Sequence, residues 1–421
     1  MASILILSKH GDGVPLALRL ADEGHICKIW IKEAKAKPSL DGYKNPSKVS
    51  DPRKMLDQYD LIICDMTEIG SLCDQLAEKG KLVLGGGSFN DKLELDREYG
   101  EKVAKTLTKL KIPDTQTFND LDKLIDYLEK ATKPQVVKPF GNKPPSLTLV
   151  SQDPTNRTII DIVKKHGKEI LPCITQEFIK GIEVSTEGWF NGKTWVRPFN
   201  HTMEKKRFMD GDVGPQVGCM GNIVWPTNGD RLTADGLELL TPLLTKVNFI
   251  GPIDINCLVT PEEAYFIEFT PRFGYEAIQA WCELIQMPLF DYLYAIASGQ
   301  REEVPFHDEF AIGIRMSVNP YPVKEGVDVW ESIQVLDVPK EAKKHVWLAD
   351  VKLVDGIPVM AGVDGVVGCV TARGSSVREC QRRAYRTIRN ITITDDVQYR
   401  KDIGDDVEEQ KKVLKGWGWI Q

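Results

Sequence analysis

Asp254 and Glu268 lie on two short runs, 253–259 and 265–270, in which apolar and polar residues alternate on either side of Thr260, Pro261 and Glu262. Period two on both sides of such a cluster predicts a β-hairpin. A turn centred near Pro261 sets Asp254 opposite Glu268. Two acids on one half-buried face repel each other and desolvate poorly. A hard cation such as Mg²⁺ removes both problems. Arg272, four residues after Glu268, is placed to meet a phosphate. On the hairpin alone, two readings stand: a metal–phosphate site, or two solvated acids on an outer face.

Three further segments carry chemistry. Lys138 ends the apolar run Val136-Val137, where it suits a phosphate oxygen as a point charge or simply snorkels to solvent. Glu177 to Glu183 reads as a strand, a break at Gly181 and an acid. A nucleotide can use such a hinge, with backbone groups on the adenine edge and Glu183 accepting from ribose hydroxyls; an ordinary strand–turn–strand is the competing reading. The third segment opens with Lys205, Lys206 and Arg207 and continues as a loop holding Gly211, Gly214, Gly218 and Gly221. Cations draw anionic groups and glycines let backbone approach a ligand, whereas a bland reading makes this a surface loop. Gly11-Asp12-Gly13 lacks the third glycine of a dinucleotide fingerprint; it reads as a structural turn, with a phosphate at the helix N-terminus as the competing reading.

These residues need a scaffold. A chain of 421 residues predicts two to four domains. A net charge of −7 and a pI near 5.6 argue against a general nucleic-acid partner. No apolar run reaches a membrane span, and residues 1–9 read as a first strand rather than a signal peptide. Nine cysteines without a C-x-x-C spacing favour a reducing compartment, and six histidines without ligand spacing argue against zinc. Strands at 2–7, 26–31, 61–64 and 81–84 with a helix at 14–23 predict a parallel α/β unit. A charged helix over 92–111 follows. A small α+β unit over 114–188 then carries helices at 121–131 and 159–166 and strands at 135–138, 174–179 and 183–190. The region 190–325 holds the hairpin and helices at 277–285 and 289–297. Beyond it lies a β-rich segment with a basic amphipathic helix over 376–389.

Strand lysine, hinge acid, basic glycine loop, acidic hairpin and arginine occur in a set order, and in that order the chain resembles the ATP-grasp enzymes. It is most similar in motif to the glycinamide ribonucleotide synthetases (phosphoribosylamine–glycine ligases). The resemblance rests on Val136 to Lys138, on Glu177-Phe178 with Gly181 and Glu183, and on Lys206-Arg207 with Asp212, Gly214, Pro215, Gly218 and Gly221. It continues at Glu268, Arg272 and Gly274 and returns at Tyr399, Arg400, Asp402 and Gly404. It implies an α/β ATP-grasp fold with an N-terminal Rossmann-like domain (1–112), small and large ATP-grasp subdomains (113–189 and 190–325) and a small C-terminal β-rich domain (326–421). It implies ATP held by Lys138, Glu177, Phe178, Ile179 and Glu183, and Mg²⁺ or Mn²⁺ held by Glu268, Asp254 and Thr270. Arg272, Lys206 and Arg207 take catalytic roles, and Asp212, Gly214, Pro215, Gly218 and Gly221 bind substrate. The implied reaction activates glycine as an acyl phosphate, which the amine of phosphoribosylamine attacks. The implied partners are small molecules, with neither nucleic acid nor membrane, for a cytoplasmic monomer.

The departures from that pattern face ligand. The loop Lys9 to Gly13 lacks the family's arginine and glutamate, Pro144 and Pro145 interrupt the glycine-rich loop 141–146, and Thr270 stands for a metal-binding asparagine. Gln216, Val217 and Cys219 replace Asn, Thr and Gly, and Asp96-Arg97 stands for a usual Ser-Lys. They leave open a ligase for another amine or amino acid, and a non-catalytic nucleotide-binding relative.

Overall fold

A computed structural model describes residues 1–140, 147–151, 153–323, 330 and 333–421, without the side chain of Leu336. The loop 141–146, with Pro144 and Pro145, and the boundary expected at 325/326 lie outside the described residues.

Alternation of strand and helix builds the N-terminal unit. β1 (Ser3–Ser8), β2 (Ile26–Ile31), β3 (Ser47–Lys48), β4 (Leu61–Cys64) and β5 (Val83–Leu84) form a parallel sheet in the order β3-β2-β1-β4-β5. β1 and β4 are buried on both faces, which is why they read as unbroken apolar runs. α1 (Val14–Asp22) starts just after Gly13 with Pro15 in its first turn. Gly11 and Gly13 both donate their backbone N–H to Ser8 Oγ, at 3.0 and 3.4 Å. Ser8 thus holds the turn that leads into α1.

The expected helix 92–111 is two helices. After α2 (Gly70–Glu78), α3 (Ser88–Leu95) and α4 (Arg97–Leu107) meet at Asp96, whose carboxylate accepts from the Tyr99 N–H at 3.0 Å. An aspartate there caps the second helix better than it continues the first.

β6 (Thr115–Phe118), β7 (Gln135–Pro139), β8 (Leu149–Val150) and β9 (Cys173–Glu177) make a four-stranded sheet in the order β6-β9-β7-β8. α5 (Leu121–Lys130) and α6 (Arg157–Ile170) pack on it through Leu124, Leu128, Ile160 and Val163. The chain then crosses to a nine-stranded sheet. That sheet begins with β10 (Ile182–Asn191), so the change of sheet falls between Glu177 and Ile182 and not at 189/190. Gly181 sits at the crossing, where an added Cβ would come within 2.8 Å of the Val259 carbonyl oxygen.

β11 (Trp195–Met209), β12 (Val213–Thr227), β13 (Ile250–Val259), β14 (Ala264–Thr270) and β15 (Phe310–Val318) join β10 in the order β14-β13-β10-β11-β12-β15. Strands Val366–Gly374 and Val346–Leu348 continue the sheet beyond β15, and Val397–Gln398 also pairs with β15. The C-terminal segment therefore shares one sheet with the large subdomain, because strand Val366–Gly374 hydrogen-bonds along the length of β15.

The expected loop 205–221 is the end of the long β11–β12 hairpin. Lys205 pairs with Gly221, Arg207 with Gln216 and Met209 with Val213. Its glycines hold positive φ at Gly211, Gly214 and Gly218, which lets a β-ribbon absorb register shifts between Lys205 and Met209.

Candidate active site

Period two on three adjacent strands gathers polar side chains on one face of the large sheet. β10 presents Glu183, Ser185 and Glu187, β11 presents Glu204 and Lys206, and β13 presents Asp254 and Asn256. The register Ser185↔Thr202, Glu187↔Asp254 and Ser185↔Asn256 places them side by side.

The hairpin reading needs correction. Glu268 faces Asn256, and Asp254 faces Thr270. The turn is one residue wider than centring on Pro261 allows, since Val259 pairs with Ala264. A bulge at Ile267 adds another, because Cys257 pairs with Phe266 while Asn256 pairs with Glu268. The total shift is two residues, so Asp254 and Glu268 still share a face, but diagonally.

Lys206 stands at the centre. Its Nζ lies 2.6 Å from Glu183 Oε1 and 3.9 Å from Glu268 Oε1. Asn256 Nδ2 donates to the same Glu183 oxygen at 2.8 Å. Burial works against the charge on Lys206, but Glu183, Glu268 and Glu204 outweigh it and hold the ammonium above its ordinary range. Burial likewise opposes ionised Glu183, and Lys206 with the Asn256 bond still keeps it below the usual value. Asn256 Oδ1 is buried with no hydrogen-bond partner among the described residues. Glu268 is half-exposed.

Asp254 belongs to a different group. Burial, with Glu187 and Glu204 close by, pushes its carboxyl well above the usual range. Glu187 and Glu204 are each pushed up to about 7, burial being the first cause in both. Trp189 Nε1 donates to Glu187 at 3.2 Å. Neither a solvated acidic face nor a carboxylate directly across from Glu268 describes Asp254. Among the described residues no group of three or more His, Cys, Asp or Glu side chains is arranged to hold a metal ion.

The small sheet contributes Lys138 from β7. Burial first, and then Arg97, push its ammonium down to about 8, while Glu268 and Glu101 pull the other way. Lys138, Glu268 and Lys206 thus face one another between the two sheets. Gln176 Nε2 bonds Glu101 and Thr115 at 3.0 Å each, fastening the small sheet to α4. At the crossing, Glu177 pairs with Lys133 at 2.7 Å. The Phe178 N–H donates to the Pro134 carbonyl at 2.8 Å.

Arg272 sits just past β14. Its Nε bonds Glu94 Oε1 at 3.1 Å, and its guanidinium lies 4.9 Å from the Tyr275 ring centre. Burial opposes its charge, but Glu94 outweighs that and holds it above the ordinary value. Arg207 is not brought to this group. Its Nη1 donates instead to the Gly214 carbonyl across its own hairpin, at 2.7 Å. Alternation along β11 separates it from Lys206.

Asp212 is held by two cations, Lys205 at 3.0 Å and Arg400 at 2.7 Å. Arg400 is fully buried and also donates to Asp402 and to the Arg207 carbonyl. The Gly211 N–H donates to Asp402 Oδ2 at 2.8 Å. The Arg400–Asp402 motif therefore clamps the hairpin tip to the C-terminal segment. Arg400→Ala is expected to lower stability by roughly 2–4 kcal/mol through lost charged hydrogen bonds, and to expose residues 209–213 to proteolysis. Urea melts and limited digestion read both effects.

A cavity of about 470 Å³ opens next to Tyr275, the ring beside Arg272. His10 and Asp12 line it from the first loop, Val217 and Gly218 from the hairpin, and Glu276, Arg315 and Asp350 from beyond it. Arg315 Nε bonds Glu276 Oε1 at 2.5 Å and its Nη1 reaches Tyr321 Oη at 3.2 Å. Asp12 Oδ2, Glu276 Oε2, Gln279 Oε1 and Asp350 Oδ1 are buried without partners among the described residues. Sequence reasoning missed Glu276, Arg315 and Asp350, which stand in runs that carry no local signal. Of the expected substrate residues, only Gly218 lines this cavity. Gly214 and Pro215 are exposed near the hairpin tip. Gly221 lies within the sheet, where an added Cβ would meet the Gly313 carbonyl oxygen at 2.6 Å.

A parallel N-terminal sheet, a small sheet carrying a buried lysine and a large sheet presenting carboxylates toward it make up the ATP-grasp fold. Residues 96–276 match the family described as phosphoribosylglycinamide synthetase, ATP-grasp (A) domain. The chain is 23% identical to phosphoribosylamine–glycine ligase of Clostridium acetobutylicum, over 95% of this chain and 99% of the relative. The solved phosphoribosylamine–glycine ligase of Thermotoga maritima superposes with a TM-score of 0.71 at 22% identity, covering 96% of this chain and all 100% of the other. A biotin carboxylase of Campylobacter jejuni shares the fold at a TM-score of 0.67 and 10% identity, over 100% of this chain and 97% of that one. No helix among the described residues is long and apolar enough to cross a membrane.

Proposed function

We propose that the chain is an ATP-dependent carboxylate–amine ligase. It forms an amide through an acyl phosphate, with glycine and phosphoribosylamine as the substrate pair, as in the named relatives. The observation that carries this reading is the meeting of Lys138, Lys206 and Glu268 between two sheets, beside Arg272 and a separate cavity. Lys138 binds nucleotide phosphate, the crossing at Glu177 to Ile179 holds the base, and Glu183 faces the ribose. Glu268, the unpartnered Asn256 Oδ1 and the Thr270 hydroxyl supply only oxygen donors, which suits a hard divalent cation. Such an ion, when bound, neutralises charge on the phosphoryl group being transferred. Lys206 and Arg272 add fixed positive charge, and their acid partners keep both ionised. Asp254, diagonal to Glu268, is a more distant donor, and Arg207 supports the hairpin instead of touching substrate.

The 470 Å³ cavity takes the amine. Four unpartnered acceptors line or abut it, and this favours a second reading in which the amine is another donor-rich molecule. ADP release separates the two. The first reading expects release that depends on glycine and phosphoribosylamine together. Release only with other members of an amine panel supports the second.

A further inference from the structure

The basic helix Val377–Arg389 is left unused by this reaction. It forms one wall of a second cavity of about 500 Å³. Arg19 of α1, Lys344, His345 and Arg373 join Arg383 and Arg386 of the helix around it. The cavity shares only Trp347 with the amine cavity.

Its charge is partly neutralised and partly not. Glu283 is taken by His345 at 2.7 Å and by the Thr371 hydroxyl at 2.5 Å. Arg373 pairs with Glu309, and Arg383 pairs with Glu379 at 2.6 Å. Arg19, Lys344 and Arg386 have neither an ion pair nor a side-chain hydrogen bond to any described residue. Arg19 is only half-exposed, its guanidinium stacked 3.8 Å from the Trp347 ring centre. Burial holds it below its ordinary value despite Glu283, Asp22 and Glu23 nearby. A guanidinium kept in a concavity with its donors unused is costly unless an anion completes it. Planar donor forks beside a flexible ammonium suit phosphate oxygens.

We infer that the cavity between α1, the segment 344–347 and helix Val377–Arg389 is a second anion site, which takes a small molecule bearing a pyrophosphate or comparably charged phosphate group. It is separate from the nucleotide site, and the inference stands whether or not the ligase reading does.

The test is calorimetric titration of inorganic pyrophosphate into the full chain at fixed ionic strength. The comparison is between wild type, Lys344→Glu/Arg386→Glu, and Arg378→Glu/Arg389→Glu. The last variant makes the same charge change on residues that do not line the cavity. Lys344 and Arg386 are exposed, so both doubles should fold, which thermal melts check; Arg386→Gln alone replaces a double that does not. The inference expects saturable binding that weakens at least about tenfold in the cavity variant and changes little in the control. No saturable binding in wild type, equal binding in all three, or equal loss in the control overturns it.

Discussion

Glu268→Gln is expected to cut ADP-forming turnover by roughly three orders of magnitude while leaving the melting temperature unchanged. Glu268 is half-exposed, and among the described residues its one ion contact is the 3.9 Å approach of Lys206, whose closer partner is Glu183. Replacing its carboxylate by an amide therefore removes little native-state energy, since a half-exposed pair this loose is worth well under about 1 kcal/mol. What it removes is the carboxylate across from Asn256 and diagonal to Asp254. Steady-state ADP formation with a thermal melt on the same sample reads both halves. Near-wild-type turnover would take Glu268 out of the metal site. A large drop in melting temperature would make its role structural.

Lys138→Ala is expected to weaken ATP binding about 10- to 100-fold, the worth of one charged hydrogen bond to phosphate. Wild type carries a further signature. Burial, with Arg97 close by, pushes the Lys138 ammonium down to about 8. Below that pH it is protonated and ready for phosphate; above it the free protein holds a neutral amine. ATP affinity should therefore fall as pH rises through about 8, and this fall should vanish in Lys138→Ala. Calorimetric titration of ATP at several pH values measures both. Equal affinity in the two proteins would remove Lys138 from the nucleotide site.

Elements whose burial is simple were legible from the sequence. β2, β4 and helix Leu289–Ala297 fall where their apolar runs predict. The same holds for helix Val377–Arg389, capped by Ser376. Register was not legible, because it depends on the width of one turn and on a bulge at Ile267 that leaves no compositional mark. Asn256 was missed for that reason. Its importance appears only once it is seen across from Glu268 with an unpartnered oxygen. Glycines at 211, 214 and 218 suggested a loop, but cross-strand bonding over the length of β11 and β12 outweighs their flexibility. Glu187 and Glu204 went unread, since only the sheet's lateral order brings three acids from different strands together.

Hydroxylamine trapping reads whether ATP is spent to make an acyl phosphate. With Mg·ATP, glycine and hydroxylamine, and no other amine, wild type should form glycine hydroxamate and ADP in equal amounts, and Glu268→Gln should form neither. ATP binding without hydroxamate or ADP from glycine, or from any other amino acid offered, would contradict the account and leave a nucleotide-binding protein that no longer catalyses.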